Sequence, residues 1–212
     1  MEDIFVLTVS KKEKDFVKSG LELETDVFAD IIETFYGIPY IGSLLKLGRL
    51  GNQIQELFFV KKVARFLEQE QDIPLEKKEK FLNSLTPKRR NKLYEYLVHY
   101  LLTAEDDEKA KIMGLVYCER VYERIDDDMF LRLCSVIYKT FVNDLKCLQL
   151  YLQPNYKTDY ITNSLYSCGL LDTVKPSFQE SAFNTGGEFV LNTVGKQLYD
   201  ILNNGNWFED KG

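Results

Sequence analysis

Residues 129–152 read MFLRLCSVIYKTFVNDLKCLQLYL, and how they are read decides the fold. The stretch contains no glycine and no proline. Apolar residues stand at Met129, Phe130, Leu133, Cys134, Val136, Ile137, Phe141, Val142, Leu145, Leu148 and Tyr151. On a helical wheel these positions cover most of the circumference, and a helix apolar nearly all round is buried nearly all round. Arg132, Lys139, Asn143, Asp144 and Lys146 interrupt the run too often for a membrane span. The expectation is one central helix, Met129 to Leu152, inside a mainly α-helical core.

Outward from that helix, the chain divides by character. Pro154 ends the run, and the residues after it are richer in Ser, Thr, Asn and Gly. The expected organisation is mainly α: a helical bundle over 1–153, then a small α+β module and polar tail over 154–212. With 212 residues the chain can bury a sizeable core. Its net charge of −6 argues against nucleic-acid binding driven by overall charge, and leaves room for a local basic patch.

Helix starts are marked along the bundle. Asp72 with Pro74 and Glu76 predicts a helix over Pro74–Leu85, and Thr86-Pro87 predicts another running to about Leu102. Glu105–Glu108 (EDDE) opens a helix to about Glu123, and Asp126–Asp128 precedes the central helix. Acids at a helix start complement its dipole, so both runs are read as caps. A Mg²⁺ site would combine carboxylates with substrate phosphates, and no phosphate-cradling glycine loop precedes either run. The single histidine, His99, lies between Tyr96 and Tyr100 with no ligand cluster at metal spacing. No metal and no cofactor is expected.

Lys88, Arg89, Arg90 and Lys92 behave differently. They sit in the first turns of a helix, where positive charge opposes the dipole. They are a candidate patch for phosphate, nucleic acid or an acidic partner. The competing reading is a solvated face balanced by Glu76, Glu79 and Glu95.

Near the N-terminus, IFVLTV within Met1–Ser10 is a β-prone run, and Lys11–Phe35 predicts an amphipathic helix. Tyr36–Phe59, YGIPYIGSLLKLGRLGNQIQELFF, follows with four of the chain's twelve glycines. Gly37 and Pro39 end the preceding helix. Gly42, Leu44, Leu45, Gly48 and Gly51 then form an apolar, glycine-punctuated stretch. A helical glycine costs ~1 kcal/mol relative to alanine, so these need a reason. One reason is close helix packing. Another is insertion at a membrane surface, with Lys46, Arg49, Lys61, Lys62 and Arg65 facing headgroups. Packing is preferred, because apolar helix faces are more often core.

Cys118, Cys134, Cys147 and Cys168 share no CxxC spacing, and three of them stand in apolar helical settings. They read as reduced thiols of a cytoplasmic protein. MEDIFVLTVS has no basic segment ahead of its apolar run, so no secretory signal is expected. The expected location is cytoplasmic, with the inner membrane surface open as a peripheral site.

The last third predicts a helix over Thr158–Ser167 stopped by Gly169. Then come Leu170, Leu171 and Val174, a polar run over Pro176–Gly187, and a strand at Glu188–Leu191. Asn192-Thr193 caps a final helix to about Leu202, and Asn203–Gly212 is a polar tail holding Trp207. The series LYSCGLLDT … FVLNTVGKQLYDIL resembles the end of a winged-helix domain, with its "GLL" turn, wing and "T-x-x-G-x-x-L" helix. That resemblance usually implies DNA binding. Here the helix that would enter the groove, Thr158–Cys168, has no Lys or Arg, and neither has Pro176–Leu191. Phosphate contacts need such residues, so the module is expected to bind protein rather than DNA.

The middle of the chain, DEKAKIMGLVYCERVYERIDDDMFLRLCSVIYKTFVNDLKCL, is similar to a group of bacterial helical proteins that carries no assigned activity. The resemblance implies an accessory setting such as phage defence. Catalysis is disfavoured, because GxGxxG and GxxxxGK[ST] are absent and His99 has no partner serine or cysteine in a recognisable motif. The favoured function is noncatalytic: a protein-interaction module or oligomer subunit, rich in tyrosine at Tyr94, Tyr96, Tyr100, Tyr117 and Tyr122. Membrane association through 36–65 is the first alternative, and nucleic-acid binding through 88–92 the second.

Overall fold

The computed structural model describes residues 53–70, 72–155, 159–174 and 188–209. The expected strand and helix of the first 35 residues, the glycine stretch up to Asn52, and the polar run Pro176–Gly187 lie outside them. Among the described residues the chain is mainly helical, with eight α-helices and one two-stranded antiparallel sheet. It divides into two compact units, Met1–Ile125 and Asp126–Gly212.

The first unit holds α1 (Gln53–Glu68), α2 (Leu75–Ser84), α3 (Pro87–Thr103) and α4 (Asp107–Val121). Two starts follow their local signals. The Thr86 hydroxyl accepts from Arg89 N at 3.4 Å, and the Asp106 carboxylate accepts from Lys109 N at 2.9 Å. The start of α2 departs from expectation. Pro74, not Asp72, occupies the cap, with no side-chain bond, and its carbonyl receives Lys77 N at 2.9 Å and Lys78 N at 3.2 Å. Proline fixes its own backbone for a helix entry, so the carbonyl alone suffices.

Helices α1 and α4 touch through backbone. A Cβ on Gly114 would lie 2.5 Å from the Phe66 carbonyl oxygen, closer than any side chain tolerates. Around that contact Val63, Phe66, Leu67, Leu97, Leu101, Ile112, Met113, Val116 and Tyr117 are buried. The Tyr117 ring lies 5.3 Å from Phe66 and meets Phe81 edge-on at 6.1 Å.

The second unit holds α5 (Asp127–Lys139), α6 (Val142–Leu145), a 3₁₀ turn (Leu148–Tyr151), α7 (Tyr160–Ser167), β1 (Leu171–Val174), β2 (Glu188–Leu191) and α8 (Thr193–Asn204). The strands pair in register Leu171↔Leu191 to Val174↔Glu188. Asn155 adds a bridge, donating to Phe189 O at 2.9 Å and accepting from Phe189 N at 2.8 Å.

The single helix expected over Met129–Leu152 is not formed. Helix α5 stops at Thr140, whose backbone is extended (φ −89°, ψ 138°) and whose buried hydroxyl donates to Val136 O at 2.8 Å. A threonine that bonds its neighbouring backbone competes with helix propagation. The spacing of apolar residues changes at the same place. Phe130, Leu133, Cys134 and Ile137 keep helical three-and-four spacing and form one buried face, with Arg132 and Lys139 exposed. Val142, Leu145, Leu148 and Tyr151 are buried at steps of three, the period of a 3₁₀ helix. The continuous run is therefore an amphipathic helix followed by tight turns, not a helix buried all round.

Three helices end in the same way. After α4, α7 and α8 the chain passes through a left-handed residue: Glu123 (φ 59°), Gly169 (φ 83°) and Asn206 (φ 53°). In each case the next residue's N–H reaches back to a carbonyl of the last turn: Arg124 to Glu119, Leu170 to Leu165, and Trp207 to Leu202, at 2.9, 3.0 and 2.9 Å. This is the Schellman closure, and glycine is its usual residue. The last of the three corrects the expected polar tail. Trp207 is only 3% exposed, and its ring meets Phe208 edge-on at 5.3 Å.

Candidate functional site

The basic residues singled out in the sequence start α3, behind the Thr86 cap and with Pro87 in the first turn. Lys88, Arg89 and Lys92 are exposed. Arg90 is half-buried and lies one turn before the buried Tyr94, on the inward side of the helix. The structure thus divides the four: three face outward, and one belongs to the core side.

Beyond them the face continues with the half-buried Tyr96 and Tyr100, which the patch assignment did not include. Lys92 Nζ sits 5.6 Å from the centre of the Tyr96 ring, a cation–π arrangement. Tyr96 and Tyr100 are near-parallel, with centroids 6.4 Å apart and planes 18° apart. His99 lies 5.5 Å from Tyr100. The signal was available: Lys88, Lys92, Tyr96 and Tyr100 recur every four residues, and such positions share a helix face. Glu95 is the only acid of the helix.

On the inward side, Glu70, just past α1, lies near Lys78 of α2, Tyr94 of α3 and Cys118 of α4. Glu70 is fully buried, and Lys78 Nζ stands 3.8 Å from its Oε2. The Cys118 thiol donates to Gln69 O at 3.2 Å. Burial, seconded by the negative Glu70 and opposed by Lys78, pushes that thiol from its ordinary 9.0 up to about 12. Burial also raises Tyr94, with Glu70 adding to it and Arg90 opposing. In the second unit burial alone raises the Cys134 thiol. A thiol held protonated is a poor nucleophile, so neither cysteine is primed for attack at neutral pH.

The other charged runs serve helix ends. Asp126 accepts from Met129 N at 2.8 Å, and Asp128 takes Arg132 Nε at 2.7 Å. Glu105 pairs with the buried Lys109 at 3.2 Å. Among the described residues no three His, Cys, Asp or Glu side chains stand together as a metal site.

Two of the five cations proposed to face a membrane have other employment. Lys62 Nζ donates to Leu102 O and Ala104 O at the C-terminal end of α3, where a cation favours the dipole. Arg65 pairs with Glu68 at 2.8 Å. Among the described residues no helix is long and apolar enough to cross a membrane. Gly37, Pro39, Gly42, Leu44, Leu45, Gly48 and Gly51 lie outside the described residues.

The tyrosines likewise separate. Tyr94 and Tyr117 are core residues. Tyr122 is flanked by Lys77 and Arg124 at 4.9 and 4.8 Å from its ring.

In the second unit large apolar side chains reach the surface. Leu150, Leu152 and Tyr166 are 44%, 39% and 47% exposed. Leu150 and Tyr166 flank one bridge: Asn155 Nδ2 donates to Leu150 O at 3.1 Å, Asn155 pairs with Phe189, and Phe189 meets Tyr166 edge-on at 5.6 Å. No family model, curated protein or solved structure matches the chain.

Proposed function

We propose that this chain is a noncatalytic subunit that acts by binding protein through its second unit, with a further copy of the chain as the partner. The observation that carries this reading is the pair of exposed side chains Leu150 and Tyr166 flanking the Asn155–Phe189 bridge. Exposed apolar side chains gathered on one surface favour contact with another macromolecule. The thiols of Cys118 and Cys134, both held protonated, agree with a noncatalytic role.

The order helix, strand, strand, helix from α7 to α8 supports a winged-helix-like reading of this unit. The absence of Lys and Arg from α7, YITNSLYS, favours protein over DNA as its ligand.

Amide hydrogen exchange at low and high protein concentration tests the proposal. Peptides covering Leu148–Asn155 and Tyr160–Ser167 should exchange more slowly at high concentration. A peptide around Phe58, itself 55% exposed in the first unit, should not change. Concentration-independent exchange throughout would reject self-association through this surface.

A further inference from the structure

We infer that the outward face of α3 binds single-stranded nucleic acid, independently of the protein-binding surface of the second unit. The helix carries four cations and one acid in a chain whose net charge is −6, so its local field is opposite to that of the whole. Three of those cations, Lys88, Arg89 and Lys92, point outward from its first two turns. They stand where the helix dipole is positive, and the two fields add for an approaching phosphate.

The same face then presents rings. Tyr96 follows Lys92 by one turn, and Tyr100 follows Tyr96 by another, near-parallel to it at 6.4 Å. From Lys88 to Tyr100 the face extends about 18 Å at the helical rise. A strand lying along it would set phosphates against the lysines and arginine and bases against the tyrosine rings. That pairing of a cationic track with stacking platforms is the chemistry of unpaired strands. A duplex keeps its bases stacked inside and would leave the tyrosines idle. An acidic protein or an anionic membrane would use the cations but give the parallel rings no flat partner. Binding of this kind reads little sequence, because every base has a face to stack.

The test uses the full chain and a fluorescently labelled twelve-residue oligothymidylate, followed by anisotropy at rising salt. A hairpin duplex and anionic phosphatidylglycerol vesicles serve as competitors. The expected result is binding that weakens steeply with salt and that the duplex and vesicles displace poorly. Lys88→Glu with Lys92→Glu should weaken binding by more than tenfold, while Lys88→Arg with Lys92→Arg should retain it. Tyr96→Ala should weaken it about tenfold with the salt slope unchanged, since it removes stacking and no charge. Circular dichroism checks that each variant folds. Three results would each overturn the inference: no binding at low salt, equal competition by duplex or vesicles, or Tyr96→Ala binding like the wild type.

Discussion

The two units solve the same problem with different materials. Among the described residues the first holds helices of ten to seventeen residues and buries charge: Glu70, Lys78 and Lys109 all lie inside. In the second, Asp144 is buried too, and hydroxyls do much of the interior polar work. Thr140 bonds Val136 O, and the Tyr151 hydroxyl pairs with Thr162 Oγ1 at 2.7 Å. One device is common to both. Gly114 lets α4 approach the Phe66 carbonyl, and Gly195 lets α8 approach the Leu170 carbonyl, where a Cβ would stand 2.2 Å away. Close backbone contact fixes element positions in each unit, whereas the balance between buried ions and buried hydroxyls differs.

The largest effect should come from the buried pair. Glu70→Gln removes the carboxylate that faces the buried Lys78, and loss of one partner of such a pair costs about 3–5 kcal/mol. Glu70→Leu combined with Lys78→Met should recover most of that loss, as denaturant melts would show. A double variant as unstable as the single one would mean that the pair does not act as a unit.

Next are the two glycines. Gly114→Ala and Gly195→Ala would each gain ~1 kcal/mol of helix propensity on an open surface. Here the new methyl meets a carbonyl, and overpacking should win, with a net loss of about 1–3 kcal/mol in thermal or chemical unfolding. A gain at either site would show that the helices can separate freely.

Alkaline pH separates the units more gently. The folded Cys118 keeps its proton up to about 12, while the unfolded thiol loses it near 9.0. Over that interval the folded chain holds more protons than the unfolded one. Its stability is therefore full below pH 9 and falls as pH rises towards 12. Cys118→Ala should flatten this decline in the first unit, and Cys134→Ala should do so in the second. Unchanged pH slopes in both variants would contradict the account of the thiols.

The smallest effect should be a gain. Glu123 holds a left-handed conformation that costs a side chain roughly 1–2 kcal/mol, and Glu123→Gly should return about 1 kcal/mol of it. Gly169 already occupies the equivalent place after α7, so Gly169→Ala should lose a similar amount.

Much of this architecture was legible in the chain. Thr86-Pro87, Asp106, Asp126 and Asn192 announced helix starts, because a short polar side chain before an apolar run has one good use. The EFVL strand and the Gly169 stop were equally plain. The break at Thr140 was not, since no glycine or proline marks it and only the step-of-three spacing of Val142, Leu145, Leu148 and Tyr151 betrays the change. Glu123 and Asn206 were also missed as helix closures: glutamate seldom takes the left-handed conformation, and Asn206, which tolerates it, stands in a run read as a polar tail. For the α3 face, charge alone located Lys88, Arg89 and Lys92. Joining them to Tyr96 and Tyr100 required asking which side of the helix is buried, and Arg90 was misplaced for the same reason. The surface around Leu150 and Tyr166 depends on the Asn155–Phe189 bridge, a long-range pairing that no local pattern encodes.

The most direct test of the central claim is the mass of the full chain by sedimentation velocity across a hundredfold range of concentration. The measurement is made on the wild type, on Leu150→Lys with Tyr166→Lys, and on Phe58→Lys. Binding through the second unit predicts a mass that rises with concentration in the wild type and in Phe58→Lys, and stays that of one chain in the Leu150 and Tyr166 variant. A wild type that remains a single chain throughout, or a Leu150 and Tyr166 variant that associates as before, would contradict it.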